Sequence, residues 1–205
     1  MKQMRTIKGT HDILPESSKN WQSLEKIIHA SASLSGYSEI RTPIIEEAGL
    51  FNRGIGENTD IVSKEMYSWT DRDNKTIALR PEMTASVVRS YIQHNLHNKS
   101  MLQRLYYIGP SFRRERPQKG RQRQFHQFGV EAIGSANPEQ DAEVIALGWE
   151  ILKKAGINNL ELKLSSIGSK ECRNKYKNAL VNFLKPHVPK LSETSNSQIF
   201  AKFSR

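Results

Sequence analysis

The chain has very little cysteine and no long apolar run. Its single cysteine, Cys172, excludes an internal disulfide framework and a cysteine-based zinc site. No stretch of about 18 apolar residues occurs, which excludes a membrane-spanning helix. The opening residues, MKQMRTIKGTHD, lack the apolar core of a signal peptide. We therefore expect a cytoplasmic protein without a membrane partner.

Several chemical motifs are also missing. There is no G-x-x-x-x-G-K-[ST] segment, so a nucleotide would not be held by a P-loop. There is no G-x-S-x-G segment for a nucleophilic serine. The histidines show no metal-ligand spacing, so we expect no protein-bound structural metal.

Positive charge is in excess, with 31 Lys and Arg against 21 Asp and Glu in 205 residues, a formal net charge of +10. This balance favours a polyanionic partner, although a merely basic soluble protein has the same charge. The densest basic segment lies within residues 112–134, FRRERPQKGRQRQFHQFGVEAIG, and leads into an apolar run.

The order of apolar patterns and turn residues predicts an α/β protein with antiparallel hairpins. Residues 51–64 are polar and contain glycine, which predicts a loop. A helix is expected to open at Pro81, with Val87, Tyr91 and Ile92 in the core. Further helices are predicted over residues 14–37, 137–156 and 169–184, strands over 38–46 and 159–167, and hairpins over 66–80 and 104–134.

Alternation along the basic hairpin predicts that one face is polar and the other mostly apolar, because successive strand residues point to opposite faces. The apolar face would include Phe128, Val130 and Ala132. The polar face would present two arginines, a ring, an amide and two carboxylates: Arg113, Glu115, Arg123, Phe125, Gln127 and Glu131.

This set of side chains suits a nucleotide and a small amine. An arginine fork binds phosphate, Phe125 can stack on a base, and Gln127 with Glu131 can hold an ammonium group. The loop over residues 116–122 would be left to touch a larger anion. The alternative is a solvated charged loop that pairs with nothing. Glu82 and Thr84 form a second polar cluster at a helix start, where ordinary capping is the competing explanation.

Four blocks of the sequence carry a family resemblance: KGTHDILP, GYSEIRTPIIEEAGLF, ALRPEMTASVVR and YYIGPSFRRERPQKGRQRQFHQFGVEAIG. Over residues 6–184 the chain closely resembles the N-terminal part of bacterial-type histidyl-tRNA synthetases, which are class II aminoacyl-tRNA synthetases. The resemblance implies an α/β fold of the α+β kind, with an antiparallel sheet and flanking helices, incomplete at the C-terminus.

The resemblance also implies an organisation and a set of partners. Residues 1–185 would belong to the catalytic core and 186–205 to the region leading to motif 3. Motif 1, at about 36–51, would build a homodimer interface, and motif 2 would span about 106–134. ATP with Mg²⁺, histidine and tRNA-His would be the substrates.

Individual roles carry over from the family to matching positions. Arg113 would be the catalytic residue, binding the ATP α-phosphate and the histidine carboxylate. The remaining ATP-binding residues would be Glu115, Arg121, Arg123 and Phe125. Histidine would be held by Glu82, Met83, Thr84, Arg113, Gln127 and Glu131, and the tRNA acceptor end would contact Arg116, Gln118 and Lys119.

The resemblance implies an ATP-dependent histidine–tRNA ligase, present as an N-terminal fragment. A second histidine-binding loop, motif 3 and an anticodon-binding domain would follow in the family, so we expect the chain alone to be inactive. One rival is the non-catalytic regulatory subunit of ATP phosphoribosyltransferase, which resembles these synthetases. The complete segment RRERPQKGRQRQF favours the synthetase, since such paralogues lose parts of it. Another rival, a plain RNA-binding module, explains the charge but not Glu82, Gln127 and Glu131 together.

Overall fold

Two three-stranded sheets carry the fold, and a long antiparallel hairpin dominates one of them. The protein is described from a computed structural model, which covers residues 3–56, 59, 61–166 and 168–192. The chain divides into two compact units, residues 1–160 and 161–205. The strands of the first unit are β1 (Ser38–Glu39), β2 (Ile45–Glu47), β3 (Ser68–Thr70), β4 (Thr76–Leu79), β5 (Gln103–Phe112) and β6 (Gln124–Ile133).

The helices follow the predicted positions in most places. The longest begins with a proline at its first turn, as does the helix whose N-cap is Asn137. Proline suits this position because its missing N–H would have no partner there. The helices are α1 (Pro15–Leu34), α2 (Ala48–Ile55), α3 (Thr84–Gln93), α4 (Pro138–Lys154) and α5 (Lys170–Leu184), with shorter turns at Ile61–Glu65, Leu96–Asn98 and Lys185–Lys190.

The predicted fold class is confirmed, but the strands form two separate sheets rather than one. One sheet has the order β1-β5-β6 and the other β2-β4-β3. β5 and β6 pair antiparallel from Gln103 opposite Ile133 to Phe112 opposite Gln124, which confirms the basic hairpin. The hairpin of β3 and β4 is confirmed as well. β1 runs parallel to β5, so the first sheet is mixed.

The two faces of the long hairpin differ as the alternation predicts. One face, with Tyr106, Ile108, Phe128 and Val130, packs against α1 and α4. At one end of the other face, residues of α3 pack against the strands instead. The first core contains Ile28, Ala32, Tyr37, Leu147 and Ile151, and the second contains Met83, Val87, Leu105 and Tyr107. The polar side chains of the second face therefore lie on a strand pair whose opposite face is packed against α1 and α4.

The prediction of a loop over residues 51–64 is wrong where the structure describes them. α2 extends to Ile55, and a π-helical turn occupies Ile61–Glu65. Phe51 is fully buried with Ala48 and Ala78, and that tertiary burial outweighs the low helix propensity of the glycines. Gly54 also permits a close helix contact, since a Cβ there would lie 3.2 Å from that of Ala85. Residues 57, 58 and 60 lie outside the described residues.

The prediction that a helix opens at Pro81 is also wrong, because α3 begins at Thr84. Residues 80 and 81 are bonded to the hairpin: the Phe112 N–H donates to the Arg80 carbonyl, and Arg113 Nε donates to the Pro81 carbonyl. These two carbonyls do not accept the N–H groups of Thr84 and Ala85, which bond to the Glu82 carboxylate instead. Val87 is buried as predicted, whereas Ile92 is 64% exposed.

The strand predicted over residues 159–167 is absent from the part that is described. Residues 157–166 form no regular element, although their apolar residues alternate. A strand needs a hydrogen-bonded neighbour, and none of the described pairings includes these residues. Ile167 lies outside the described residues. The predicted functional division near residue 185 stays a prediction. No helix among the residues that the structure covers is long and apolar enough to cross a membrane.

β6 ends its sheet, and within the described ranges only β5 pairs with it. A ten-residue edge strand offers unpaired N–H and C=O groups to other chains. We expect the isolated chain to self-associate or to be less soluble than its charge suggests, as sedimentation velocity over a dilution series would show. A monodisperse monomer with a cooperative melt would contradict this prediction.

Candidate active site

The turn end of the hairpin gathers a guanidinium, an aromatic ring and a carboxylate. Arg113 follows β5 directly, and its N–H donates to the carbonyl of Arg123 at 2.9 Å, which continues the strand pairing by one step. The Arg113 guanidinium lies 5.2 Å from the centroid of the Phe125 ring. Its Nη1 is 4.0 Å from Glu115 Oε1. The guanidinium is thus oriented by a cation–π contact and a carboxylate rather than left in solvent.

A cavity of about 520 Å³ opens at this end of the hairpin. Its volume is in the range of small-molecule sites. Phe125 lines it together with Arg113 and Arg121, which bring positive charge. Arg121 Nη1 donates to Glu115 Oε2 at 3.3 Å, and Arg123 Nε donates to the Glu115 carbonyl at 3.3 Å. The five residues predicted to bind ATP therefore lie together: Arg113 and Arg121 contact the Glu115 carboxylate, Arg123 bonds the Glu115 backbone, and Phe125 contacts Arg113.

The N-terminal turn of the chain covers this cluster. The Arg123 N–H donates to the Gly9 carbonyl at 2.7 Å. A Cβ at Gly9 would lie 2.8 Å from Cγ of both Arg123 and Pro117, and Gly9 has a φ of +88°. Only glycine fits such a backbone so close to two side chains. The block KGTHD is thereby bound to the basic hairpin through Gly9.

The loop between the strands points its polar side chains outward. The backbones of Gln118 and Arg121 bond to each other, and Gly120 turns the chain with a φ of +79°. Arg116, Gln118 and Lys119 are exposed. The structure places these three residues beyond the cavity, on a tight turn, and their predicted contact with tRNA stays a prediction.

Further along the same face lies a second polar cluster. Tyr107 Oη donates to Glu131 Oε1 at 3.2 Å, and Thr84 Oγ1 is 3.4 Å from Tyr107 Oη. Burial raises the pKa of Glu131, whereas hydrogen bonds from Thr84 and Tyr107 oppose that rise. Burial raises the pKa of Tyr107 to about 12, so the hydroxyl is protonated at neutral pH. Thr84 and Glu131, predicted separately, are therefore neighbours.

Glu82 performs the capping role that competed with ligand binding. Its carboxylate accepts from the Thr84 N–H and, at 3.0 Å, from the Ala85 N–H. A carboxylate has further lone pairs, so capping leaves acceptor positions for an ammonium group. The two explanations of this residue are compatible.

Gln127 and Met83 have different surroundings. Gln127 Oε1 accepts from the buried Ser111 Oγ at 3.3 Å, which leaves its NH₂ group to donate elsewhere. Gln127 lies between Phe125 and Glu131 on one face, at steps of about 7 Å per two residues.

Met83 is 2% exposed and packs in the core with Val87 and Leu105. The Met83 side chain is thus a packing residue beneath the cluster.

A protein-family model described as histidyl-tRNA synthetase matches residues 9–169, which include both sheets and the whole hairpin. The chain belongs to the histidyl-tRNA synthetase family.

Curated members of the histidyl-tRNA synthetase family match nearly all of the chain. A histidine–tRNA ligase of Synechocystis sp. is 53% identical over 196 residues, covering 96% of this chain and 44% of the relative. That of Thermosynechococcus vestitus is 52% identical, with 96% and 46% covered. The chain therefore spans about half the length of the curated relatives it matches.

Solved structures give the same result for the fold. The apo histidyl-tRNA synthetase of S. aureus aligns with a TM-score of 0.74 at 39% identity, over 96% of this chain and 46% of that one. A Bacillus halodurans protein described as an ATP phosphoribosyltransferase regulatory subunit/histidyl-tRNA synthetase aligns with a TM-score of 0.71 at 24% identity, over 97% and 55%. The second likeness shows a shared fold alone.

Sequence reasoning missed Arg80, Tyr107 and Gly129 in this member of the histidyl-tRNA synthetase family. Arg80 is 4% exposed and donates to the carbonyls of Thr42 and Pro110, both at 2.9 Å. It thereby joins the end of β4 to the segment before β2 and to β5. Arg80 precedes the Pro81 that Arg113 bonds, so it supports the catalytic candidate. The block ALRPEMT contains Arg80 but gives no signal of its burial.

Proposed function

We propose that this chain is the ATP- and histidine-binding N-terminal part of a histidine–tRNA ligase. The observation that carries the proposal is the single polar face of the hairpin. Arg113 and Phe125 lie at its turn end, and Gln127 and Glu131 follow along β6. Strand spacing separates Phe125 from Gln127 by about 7 Å and Gln127 from Glu131 by about 13 Å. This layout fits a nucleotide and an amino acid side by side.

The proposed reaction has two steps. The histidine carboxylate attacks the α-phosphorus of ATP, which forms histidyl-adenylate and releases pyrophosphate. The terminal ribose hydroxyl of tRNA-His then attacks the acyl carbon and releases AMP. Mg²⁺ enters with ATP as part of that substrate. Catalysis comes mainly from positioning the reactants and from fixed positive charge beside the phosphate.

Each residue has a part in this scheme. Arg113 contacts both the α-phosphate and the carboxylate, and its contacts with Phe125 and Pro81 hold the fork in place. Phe125 stacks on adenine. Glu115, Arg121 and Arg123 surround the nucleotide. Glu82, Thr84, Gln127 and Glu131 hold the ammonium and imidazole groups of histidine, with Met83 beneath them.

The direct test is histidine-dependent ATP–pyrophosphate exchange. The chain would be fused to the C-terminal remainder of the Synechocystis relative and compared with the unfused chain. We expect exchange that requires histidine from the fusion and none from the unfused chain. A folded fusion without exchange would contradict the proposal. Histidine binding by the fusion without any exchange would instead favour a regulatory protein of the ATP phosphoribosyltransferase kind.

The exposed loop gives a separate prediction about tRNA. Replacing Arg116 and Lys119 together by alanine should reduce the slope of log K against log salt by about 2, because each phosphate contact contributes about one unit. Filter binding of tRNA-His at several salt concentrations would measure this. The matched control removes two charges from α5, at Lys170 and Arg173, and should leave the slope unchanged. An unchanged slope in the loop variant would contradict the contact.

The proposal includes a homodimer and a cytoplasmic location. Residues 36–51 supply β1, β2 and the start of α2. Ile44 and Ile45 in this segment are 41% and 48% exposed. Exposed apolar residues of this kind support a subunit contact there.

A further inference from the structure

Tyr107 is placed beside Glu131 by a glycine on the facing strand. Tyr107 lies opposite Gly129 in the register of β5 and β6. A Cβ at Gly129 would lie 2.3 Å from Cζ and Oη of Tyr107, so the ring passes directly over the glycine. Glu131 is the next residue on this face of β6. The bare backbone at Gly129 is therefore what brings the Tyr107 hydroxyl to the Glu131 carboxylate.

The carboxylate fixes the direction of the hydrogen bond between Tyr107 and Glu131. An ionised carboxylate only accepts, so the single Tyr107 proton is donated to Glu131 Oε1. The Tyr107 oxygen then has a lone pair free for the Thr84 hydroxyl at 3.4 Å. Tyr107 therefore donates to Glu131, and Thr84 lies close enough to hydrogen-bond either of them. Glu131 is left with its second oxygen as an acceptor, on the face that also carries Gln127.

Two opposing effects act on the pKa of the Glu131 carboxyl. Burial raises its pKa, and the nearby Glu82 carboxylate adds to the rise. Hydrogen bonds from Thr84 and Tyr107 lower the pKa because they stabilise the ionised form. Without the Tyr107 hydroxyl, the opposing contribution shrinks. Glu131 would then become protonated at higher pH.

We propose that Tyr107 is a positioning residue that keeps Glu131 an ionised acceptor, so that the pocket selects an amino acid whose side chain carries an N–H. The inference rests on the proposed function and deepens it by assigning the selectivity to a residue beneath the ligand. An imidazole supplies such a donor. A ring of similar size without an N–H leaves the buried carboxylate unpaired, which is the kind of mismatch that gives strong discrimination.

The test compares Tyr107→Phe with Tyr106→Phe in the fusion described above. Both variants lose one hydroxyl from neighbouring buried residues of β5. Tyr106 faces the other side of the sheet, where its hydroxyl lies 2.8 Å from His29 Nδ1. Calorimetry would measure the dissociation constants of histidine and of β-(2-thienyl)alanine, whose ring has no N–H.

We expect Tyr107→Phe to weaken histidine binding roughly tenfold and to leave thienylalanine binding nearly unchanged, because only histidine offers an N–H to the carboxylate that Tyr107 positions. The acid limb of the histidine affinity should also move to higher pH than in the unsubstituted fusion. Protonation of histidine itself affects both proteins equally, so it does not contribute to the difference between them. The Tyr106→Phe control should match the unsubstituted fusion in both respects.

Two results would overturn the inference while leaving the proposed function intact. One is a Tyr107→Phe fusion with unchanged histidine affinity and pH profile. The other is an equal loss for histidine and thienylalanine, which a general packing defect would cause. If neither the unsubstituted fusion nor its Tyr106→Phe control bound histidine, the proposed function would fail and the inference with it.

Discussion

Replacing Arg113 by alanine is expected to slow histidine-dependent exchange by the fusion roughly 10²- to 10³-fold, corresponding to about 3–4 kcal/mol of transition-state stabilisation. The guanidinium is oriented by the Phe125 ring at 5.2 Å and by the Pro81 carbonyl at 3.0 Å. Such a fixed donor needs no reorganisation as charge develops on the phosphate. Exchange rates at saturating ATP and histidine would measure the loss.

Arg114 provides the matched control. It is the next residue and is exposed, and its N–H donates to the Glu65 carbonyl, a bond that alanine keeps. Arg114→Ala should therefore reduce exchange by much less than Arg113→Ala. Arg113→Lys keeps the charge but loses the planar fork, and we expect an intermediate rate. Equal rates for the Arg113→Ala and Arg114→Ala fusions would remove Arg113 from the proposed catalytic role.

Replacing Phe51 by alanine should lower the free energy of unfolding by about 3–5 kcal/mol, a typical cost for truncating a buried phenylalanine. Phe51 is 0% exposed and packs with Ala48 and Ala78, with Leu50 and Met66 around them. These neighbours belong to α2, β4 and the segment before β3. The cavity left behind would therefore loosen the contact between α2 and the second sheet. Urea unfolding followed by circular dichroism would measure the change.

Phe183→Ala is the same substitution at a residue that is 68% exposed. It should change the free energy of unfolding by no more than about 0.5 kcal/mol. A small effect at Phe51 would mean that α2 does not contribute to the folded core. The original prediction of a loop over residues 51–64 would then describe the chain in solution better than a helix does.

The hairpin could be predicted because its signal is local. Alternation between residues 123 and 131 separates polar from apolar side chains at every second position, and the pleat of a strand turns that pattern into two faces. The apolar face of the hairpin packs against α1 and α4, whereas Phe125, Gln127 and Glu131 lie on the opposite face. The helix starting at Pro138 was predictable for the same reason, since its capping and terminal charges are adjacent in sequence.

Patterns failed where the outcome depended on a distant partner. The alternating residues 159–166 have no described strand to pair with, and they form none. Phe51 sits among polar residues and glycines, yet its burial against Ala78 makes α2 a helix. Pro81 could open a helix by propensity, but Arg113 and Phe112 bond the backbone of residues 80 and 81.

The sequence by itself determined the α/β class, the hairpin, its polar face and, by resemblance, the histidyl-tRNA synthetase family. Only the tertiary structure decided which side chains meet. Thr84, Tyr107 and Glu131 join across separations of 23 and 24 residues, and Arg80 reaches Thr42 across 38. Alternation and capping are fixed by backbone geometry within a few residues. Contacts at long separation depend on how the sheets and helices pack, which no local pattern records.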